Sequence, residues 1–194
     1  MGYIVVGRME GCVRLYDVRT QSAAMTLTGH GSAALCAKWA LNNEYELWTS
    51  GTNGDIITWD VRSPIPRHMR RYALRRGVLE EAKASHTLVH MKSVTYFEFS
   101  CDMSTAYTVD EDGTIKSWLL RQNKDAPSDS TDGGISLADT GVVFPKLRGS
   151  RAFAGRGLTL DRFGVSTDNS RIFAPIRESV AVIETSSFVT THIN

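Results

Sequence analysis

The sequence predicts an all-β fold built from about four repeats of one short antiparallel unit, and three observations carry that prediction. Short runs rich in Val, Ile, Thr and aromatic residues recur along the chain, separated by Gly, Asn and Asp, which is the composition of strands and turns. Three of these runs align with one another: GCVRLYDVRT, GDIITWDVRS and, more loosely, GTIKSWLLRQ. The first interval, from Tyr16 to Trp59, is 43 residues, within the roughly 40 to 45 residue period of a four-stranded propeller blade.

The elements follow in order. Residues 1–28 form a first unit of three strands, YIVVGR, CVRLYDVR and AAMTLTG, opening at what corresponds to the second strand of a blade. The second unit, 29–85, starts at Gly29-His30 and continues through ALCAKWAL, ELWTSG and DIITWDVR. Pro64 and Pro66 then stop the strand. A charged stretch with helical character, RRGVLEEAKAS, helps fill an insertion over 64–85. That insertion lengthens the next interval, Trp59 to Trp118, to 59 residues, and surface loops absorb such length at small cost.

The third unit, 86–138, carries VTYFEFS, AYTVDE and TIKSWLL, followed over 121–138 by a polar, Gly- and Ser-rich segment expected to be a flexible loop. The fourth, 139–194, is degenerate: RIFAPI and SVAVIET read as strands, Ile183 falls near the Trp phase, and FVTTHIN reads as a last strand. Seven blades would need roughly 300 residues, so the expectation is one domain forming part of a propeller. A small closed ring and an assembly of arcs are the competing explanations.

Composition narrows the function. With 194 residues, 42% of them hydrophobic, the chain can bury a core. Twenty-two Lys and Arg against 21 Asp and Glu leave a net charge of +1, so no global field draws it to nucleic acid or anionic membrane. No apolar run reaches the roughly 20 residues of a membrane span, and the start MGYIVVGRMEG is too short in apolar length for a signal peptide. The chain reads as intracellular. Cys12, Cys36 and Cys101 are widely spaced and the five histidines lack a metal-ligand pattern, so neither metal nor other cofactor is expected.

The second and third units resemble the WD-repeat family, whose unit runs from Gly-His through a Ser or Thr strand and an Asp turn to Trp-Asp. The matching residues are His30, Thr49, Asn53 at the turn, Trp59 and Asp60 in one unit, and His90, Thr108, Asp112 and Trp118 in the next. The resemblance implies a buried network in which the turn carboxylate accepts from His, His engages the hydroxyl, and the hydroxyl accepts the indole N–H. These types have complementary donors and acceptors. Asn53 stands where the family has Asp, Leu119 follows Trp118 in place of Asp, and Tyr16 and Glu10 hold the Trp and turn phases of the first unit. A His-Thr-Asp set can be misread as a hydrolase triad, but it recurs at one blade phase without a nucleophile elbow. Repetition argues for architecture, and no enzyme is expected.

Two groups of residues are candidates for partner binding. Arg62 lies two residues past Asp60, and Arg19 two past Asp17; Arg suits interfaces because its planar fork grips carboxylates and stacks on aromatics. The bland alternative is a surface pair worth about 0–1 kcal/mol. The W-D-x-R arrangement resembles the box of WD-repeat substrate receptors that dock on the propeller adaptor of cullin-RING ubiquitin ligases. Residues 3 to 63 look most like the Cockayne syndrome A type of receptor, which implies transcription-coupled nucleotide excision repair and a nuclear location. The second group is Arg67, Arg70, Arg71, Arg75 and Arg76 around Tyr72, a candidate patch for phosphates or an acidic partner. Its simpler reading is a solvated insertion offset in part by Glu80 and Glu81. A general scaffold and a nucleic-acid-binding propeller are therefore the alternatives to a ligase receptor; no small-molecule substrate is expected.

Overall fold

The structure is a computed structural model that describes residues 3–7, 11–62, 86–122, 135–144, 162–176 and 179–193. The described residues are strands and turns without a helix, and the fold class is all-β, as the sequence predicts. The strands make four antiparallel sheets. The chain divides into two compact units, Met1–Met91 and Lys92–Asn194.

The first unit holds two sheets. One has the order β1 (Tyr3–Gly7), β2 (Cys12–Asp17), β3 (Ser22–Thr28); the other has β4 (Ala34–Ala40), β5 (Asn43–Gly51), β6 (Asp55–Asp60) and β7 (His86–Leu88). Alternation decides which faces meet. Val13, Leu15 and Leu27 point from the first sheet into a core with Leu47, Ile57, Trp59 and Val61 from the second unit of sequence. Trp59 is fully buried there.

The second unit repeats the plan. Its sheets are β8 (Val94–Phe99), β9 (Thr105–Asp110), β10 (Ile115–Gln122) and β11 (Ile135–Val143), then β12 (Gly164–Val165), β13 (Arg171–Ile176), β14 (Ser179–Glu184) and β15 (Thr190–Ile193). Tyr107, Val109, Ile115 and Phe144 of the former pack on Phe163, Ile172, Ala174, Ala181 and Ile183 of the latter. Ile183 is fully buried at the phase that Trp59 occupies.

The two ends of the expected loop over 121–138 are strand, and 123–134 lie outside the described residues. Arg121 and Gln122 finish β10, and Ile135 to Ala138 begin β11, paired as Gln122↔Ile135 through Leu119↔Ala138. β11 is an outer strand, half exposed, so its residues need not be apolar. Asp139 and Thr140 sit at a register shift opposite Lys116 and Trp118. There Asp139 accepts from the Gly141 N–H at 2.7 Å, and Gly141 takes φ 70°, a conformation that suits glycine. The sheets are also offset from the sequence units: His86 to Leu88 pair with β6 and close the second sheet. The expected helical insertion falls at 64–85, outside the described residues.

Two turns of the second unit are built alike. In Ser100–Ser104, Asp102 accepts from the Ser100 hydroxyl at 2.6 Å, the Ser104 hydroxyl at 2.8 Å and the Ser104 N–H at 3.1 Å. In Ser166–Ser170, Asp168 accepts from the Ser166 and Ser170 hydroxyls and the Ser170 N–H in the same way. These bonds, led by the Ser100 and Ser166 hydroxyls, hold both carboxyls at about 2, below 3.8, because donors favour the charged form. A folded-state pKa below the unfolded one contributes stability that is full above pH 3.8 and is lost as pH falls toward 2. The midpoint of thermal unfolding should therefore drop over that window. Asp102→Asn and Asp168→Asn together should lower it at pH 7 and flatten the drop, which a series of melting curves would check.

Candidate functional site

A buried polar chain in the first unit begins at His30, just before β4. His30 Nδ1 lies 3.2 Å from Asp55 Oδ1, and its Nε2 lies 2.7 Å from Thr49 Oγ1. The Trp59 indole N–H donates to the same Thr49 Oγ1 at 2.7 Å. One assignment satisfies every member: Nδ1–H donates to the carboxylate, the Thr49 hydroxyl donates to Nε2, and Thr49 accepts from Trp59. All four side chains are buried. With Thr49 fully buried and already holding two partners, its hydroxyl has no path to a substrate carbonyl.

The carboxylate in this chain is Asp55 and not the residue at Asn53. Asn53 is exposed and its Oδ1 accepts from the Ser32 hydroxyl at 2.9 Å. Gly54 has φ 80°, which turns the backbone so that Asp55 enters the interior at the start of β6. Spacing from Trp59 picks out Asn53; the inward step after a left-handed glycine picks out Asp55. The sequence signal was the acid directly after Asn53-Gly54.

In the second unit the Trp118 indole N–H donates to Thr108 Oγ1 at 2.9 Å. Asp112, the turn residue singled out beside Thr108, is partly exposed and its Oδ2 accepts from Lys92 Nζ at 2.7 Å. That bond is the main reason the Lys92 ammonium is raised above its ordinary pKa. Asp110 was missed by sequence spacing. It is buried and accepts from the Asp112 and Thr114 N–H groups at 3.0 and 2.8 Å, folding the turn between β9 and β10. His90 is buried, and its backbone N–H donates to the Gly54 carbonyl at 3.0 Å.

The Arg62 corner lies just past β6. Arg62 Nε donates to Asp60 Oδ1 at 3.0 Å and Nη2 to Asp60 Oδ2 at 2.9 Å, a two-pronged grip, while its backbone N–H also reaches Oδ1. The Asp60 side chain is 5% exposed and that of Arg62 is 60% exposed. The guanidinium carbon sits 4.9 Å from the centre of the Tyr45 ring, within cation–π range. The Asp60 bonds push the Arg62 pKa up; the bond from the Tyr45 hydroxyl to Glu44 pushes the tyrosine up. Arg62 is thus held through Nε and Nη2, and its side chain remains 60% exposed.

The Arg19 corner differs. Its backbone N–H donates to Asp17 Oδ1 at 2.8 Å, as Arg62 does to Asp60, but its Nη2 stands 3.9 Å from Asp17 Oδ2 and the side chain is 85% exposed. The same local sequence gives a held arginine at one corner and a loose one at the other. Tyr45 supplies the difference at Arg62. Arg67, Arg70, Arg71, Arg75 and Arg76 lie outside the described residues.

No protein-family model matches the chain. Among curated proteins, it is 34% identical over 59 residues to the WD repeat-containing protein ATCSA-1 of Arabidopsis thaliana, a stretch covering 30% of this chain and 13% of that protein. It is 30% identical over 77 residues to the mouse (Mus musculus) nucleoporin Nup37, covering 39% of this chain and 23% of that protein. A third match, 36% identical over 73 residues, is Protein DSE1 of Debaryomyces hansenii, covering 37% and 11%. The matched stretches span less than a quarter of the length of these proteins. The four antiparallel sheets and the similarity to a WD repeat-containing protein point the same way.

Proposed function

We propose that the chain is a non-catalytic interaction module of WD-repeat type, and that it serves as a substrate receptor for a cullin-RING ubiquitin ligase in transcription-coupled nucleotide excision repair, in the nucleus. The single observation that carries the docking role is the Arg62 corner. A guanidinium locked by a buried carboxylate and an aromatic ring has little side-chain entropy left to lose on binding, and such pre-set arginines are typical binding hot spots. Asp60 is the positioning residue for it. Arg19, oriented only through Asp17 at its backbone, is the secondary contact. The similarity to ATCSA-1, a WD repeat-containing protein, supports the interaction role; the similarity to a nucleoporin supports the nuclear setting. Folds of this kind offer faces for partners, and function lies in the residues placed on them.

The test is a pull-down of the purified chain with the propeller adaptor of the ligase, beside Arg62→Glu. The wild type should be retained and the variant lost, with circular dichroism still showing a folded chain, while melting falls because the buried Asp60 carboxylate loses its partner. A folded wild type that never binds the adaptor refutes the receptor role and leaves a general scaffold.

A further inference from the structure

Asn53-Gly54 is the one Asn-Gly step in the chain, and the fold presents it at the turn between β5 and β6. The Gly54 N–H closes that turn on the Gly51 carbonyl at 3.3 Å, longer than the usual range for such a bond. Asn53 is exposed, while Gly54 is buried with φ 80°. A backbone nitrogen one residue past a carboxamide can close on its Cγ in a five-membered ring. A side chain on the second residue hinders that approach, and glycine has none. The nucleophile is internal, so the burial of Gly54 is no obstacle.

The surroundings of the carboxamide add a chemical reason. The Ser32 hydroxyl donates to Asn53 Oδ1 at 2.9 Å, and the Thr52 hydroxyl donates in turn to Ser32. Attack at Cγ turns Oδ1 into an oxyanion, so a donor already aimed at that oxygen favours the transition state over the resting amide. The second hydroxyl polarises the first.

The next repeat supplies the contrast. Asp112-Gly113 occupies the corresponding turn between β9 and β10, and Gly113 also has a left-handed φ of 77°. Its N–H, however, is held by the Asp110 carbonyl at 2.9 Å, the Asp112 carboxylate is paired with Lys92 at 2.7 Å, and the Ser93 hydroxyl donates to Glu111. An ionised carboxylate resists nucleophilic attack. The reactive version of the turn is the one at Asn53.

We propose that Asn53 is a site of self-modification, assisted by Ser32. The Gly54 nitrogen attacks Asn53 Cγ, its proton passes to the departing Nδ2, and the Cγ–Nδ2 bond breaks to release ammonia and leave a cyclic imide. Water then opens the imide. Breaking the bond from nitrogen to Cγ gives aspartate; breaking the bond from nitrogen to the main-chain carbonyl carbon of residue 53 gives isoaspartate, with an extra methylene in the main chain ahead of Gly54. The Gly54 carbonyl accepts the Val89 and His90 backbone N–H groups at 2.9 and 3.0 Å, and Asp55 holds His30 at 3.2 Å. Isoaspartate displaces both and loosens the buried polar chain. The site is independent of the Arg62 corner.

Peptide mapping by mass spectrometry of the purified full chain, aged in mildly alkaline buffer, tests this on the tryptic fragment 39–62. The amide-to-acid mass gain should appear at Asn53 before Asn42, Asn43 or Asn169, and an isoaspartate methyltransferase with labelled S-adenosylmethionine should mark the same fragment. Ser32→Ala should slow the gain about three- to tenfold, the rate equivalent of one hydrogen bond. Asn53→Asp, the normally linked acid, should melt like the wild type, whereas aged chain enriched in isoaspartate should melt lower. A folded wild type that keeps its Asn53 amide overturns the proposal, and so does loss of that amide only in the urea-unfolded chain. A rate unchanged or raised by Ser32→Ala overturns the role of Ser32. Isoaspartate-bearing chain that melts like the wild type overturns the coupling to His30 and Asp55.

Discussion

Replacing Trp59 by alanine should cost about 3–5 kcal/mol of stability, the range for deleting a buried aromatic side chain. Trp59 is fully buried in the core between the two sheets of the first unit. Its loss leaves a cavity beside Leu47 and Ile57, and it also takes the 2.7 Å donor from Thr49. Trp59→Phe separates the two effects, because it refills most of the volume without restoring the N–H. It should recover more than half of the loss, the remainder being about 0.5–1.5 kcal/mol for the one hydrogen bond lost, since Thr49 keeps its contact with His30. Urea unfolding of the three proteins would measure both. A Trp59→Ala chain that unfolds like the wild type is incompatible with the packing described.

The second large effect is expected at a glycine. A Cβ on Gly51 would stand 2.5 Å from Asp55 Oδ1 and 2.7 Å from His30 Nδ1, distances at which something must move. Backbone on both sides is tied into β5 and β6, so the carboxylate itself yields, breaking the His30 to Asp55 contact. Gly51→Ala should therefore cost about 2–4 kcal/mol, combining overpacking with a lost buried polar contact. Gly164→Ala is the control: nothing lies within 4 Å of its Cβ, and surface changes of that kind stay within about 0.5 kcal/mol. Differential scanning calorimetry of the pair should show a large drop for the first and almost none for the second.

Much of the fold was legible because strands of this kind alternate strictly. The runs CVRLYD and DIITWD placed β2 and β6, and the Tyr16 to Trp59 interval fixed the repeat. β11 was hidden because its pairing rests on the backbone and on Asp139, Thr140 and Gly141, residue types that read as a loop when only the sequence is seen. That His86 to Leu88 pair with β6 was not visible, because three residues are too few to show a period.

The polar chain shows a different limit. His30, Thr49 and Trp59 meet within hydrogen-bond distance, and their types and order were visible in advance. Which carboxylate completes the chain was not, since it depends on the φ of Gly54 and not on spacing. At the rim, Arg62 and Arg19 follow identical tripeptide patterns. The position of Tyr45 across the strands from Arg62 and the deeper burial of Asp60 and Val61 distinguish them.

That contrast supplies the most direct test of the docking role. Titration calorimetry of the ligase adaptor with the wild type, Arg62→Ala and Arg19→Ala would compare two arginines in one local sequence but two environments. The held arginine should behave as a hot spot, its removal costing about 2 kcal/mol or more, or about 30-fold in Kd. Removal of the loose Arg19 should change Kd by less than about threefold, as for an exposed pair. Equal losses at the two corners, or no loss at Arg62 in a chain that binds, would contradict the assignment of docking to Arg62.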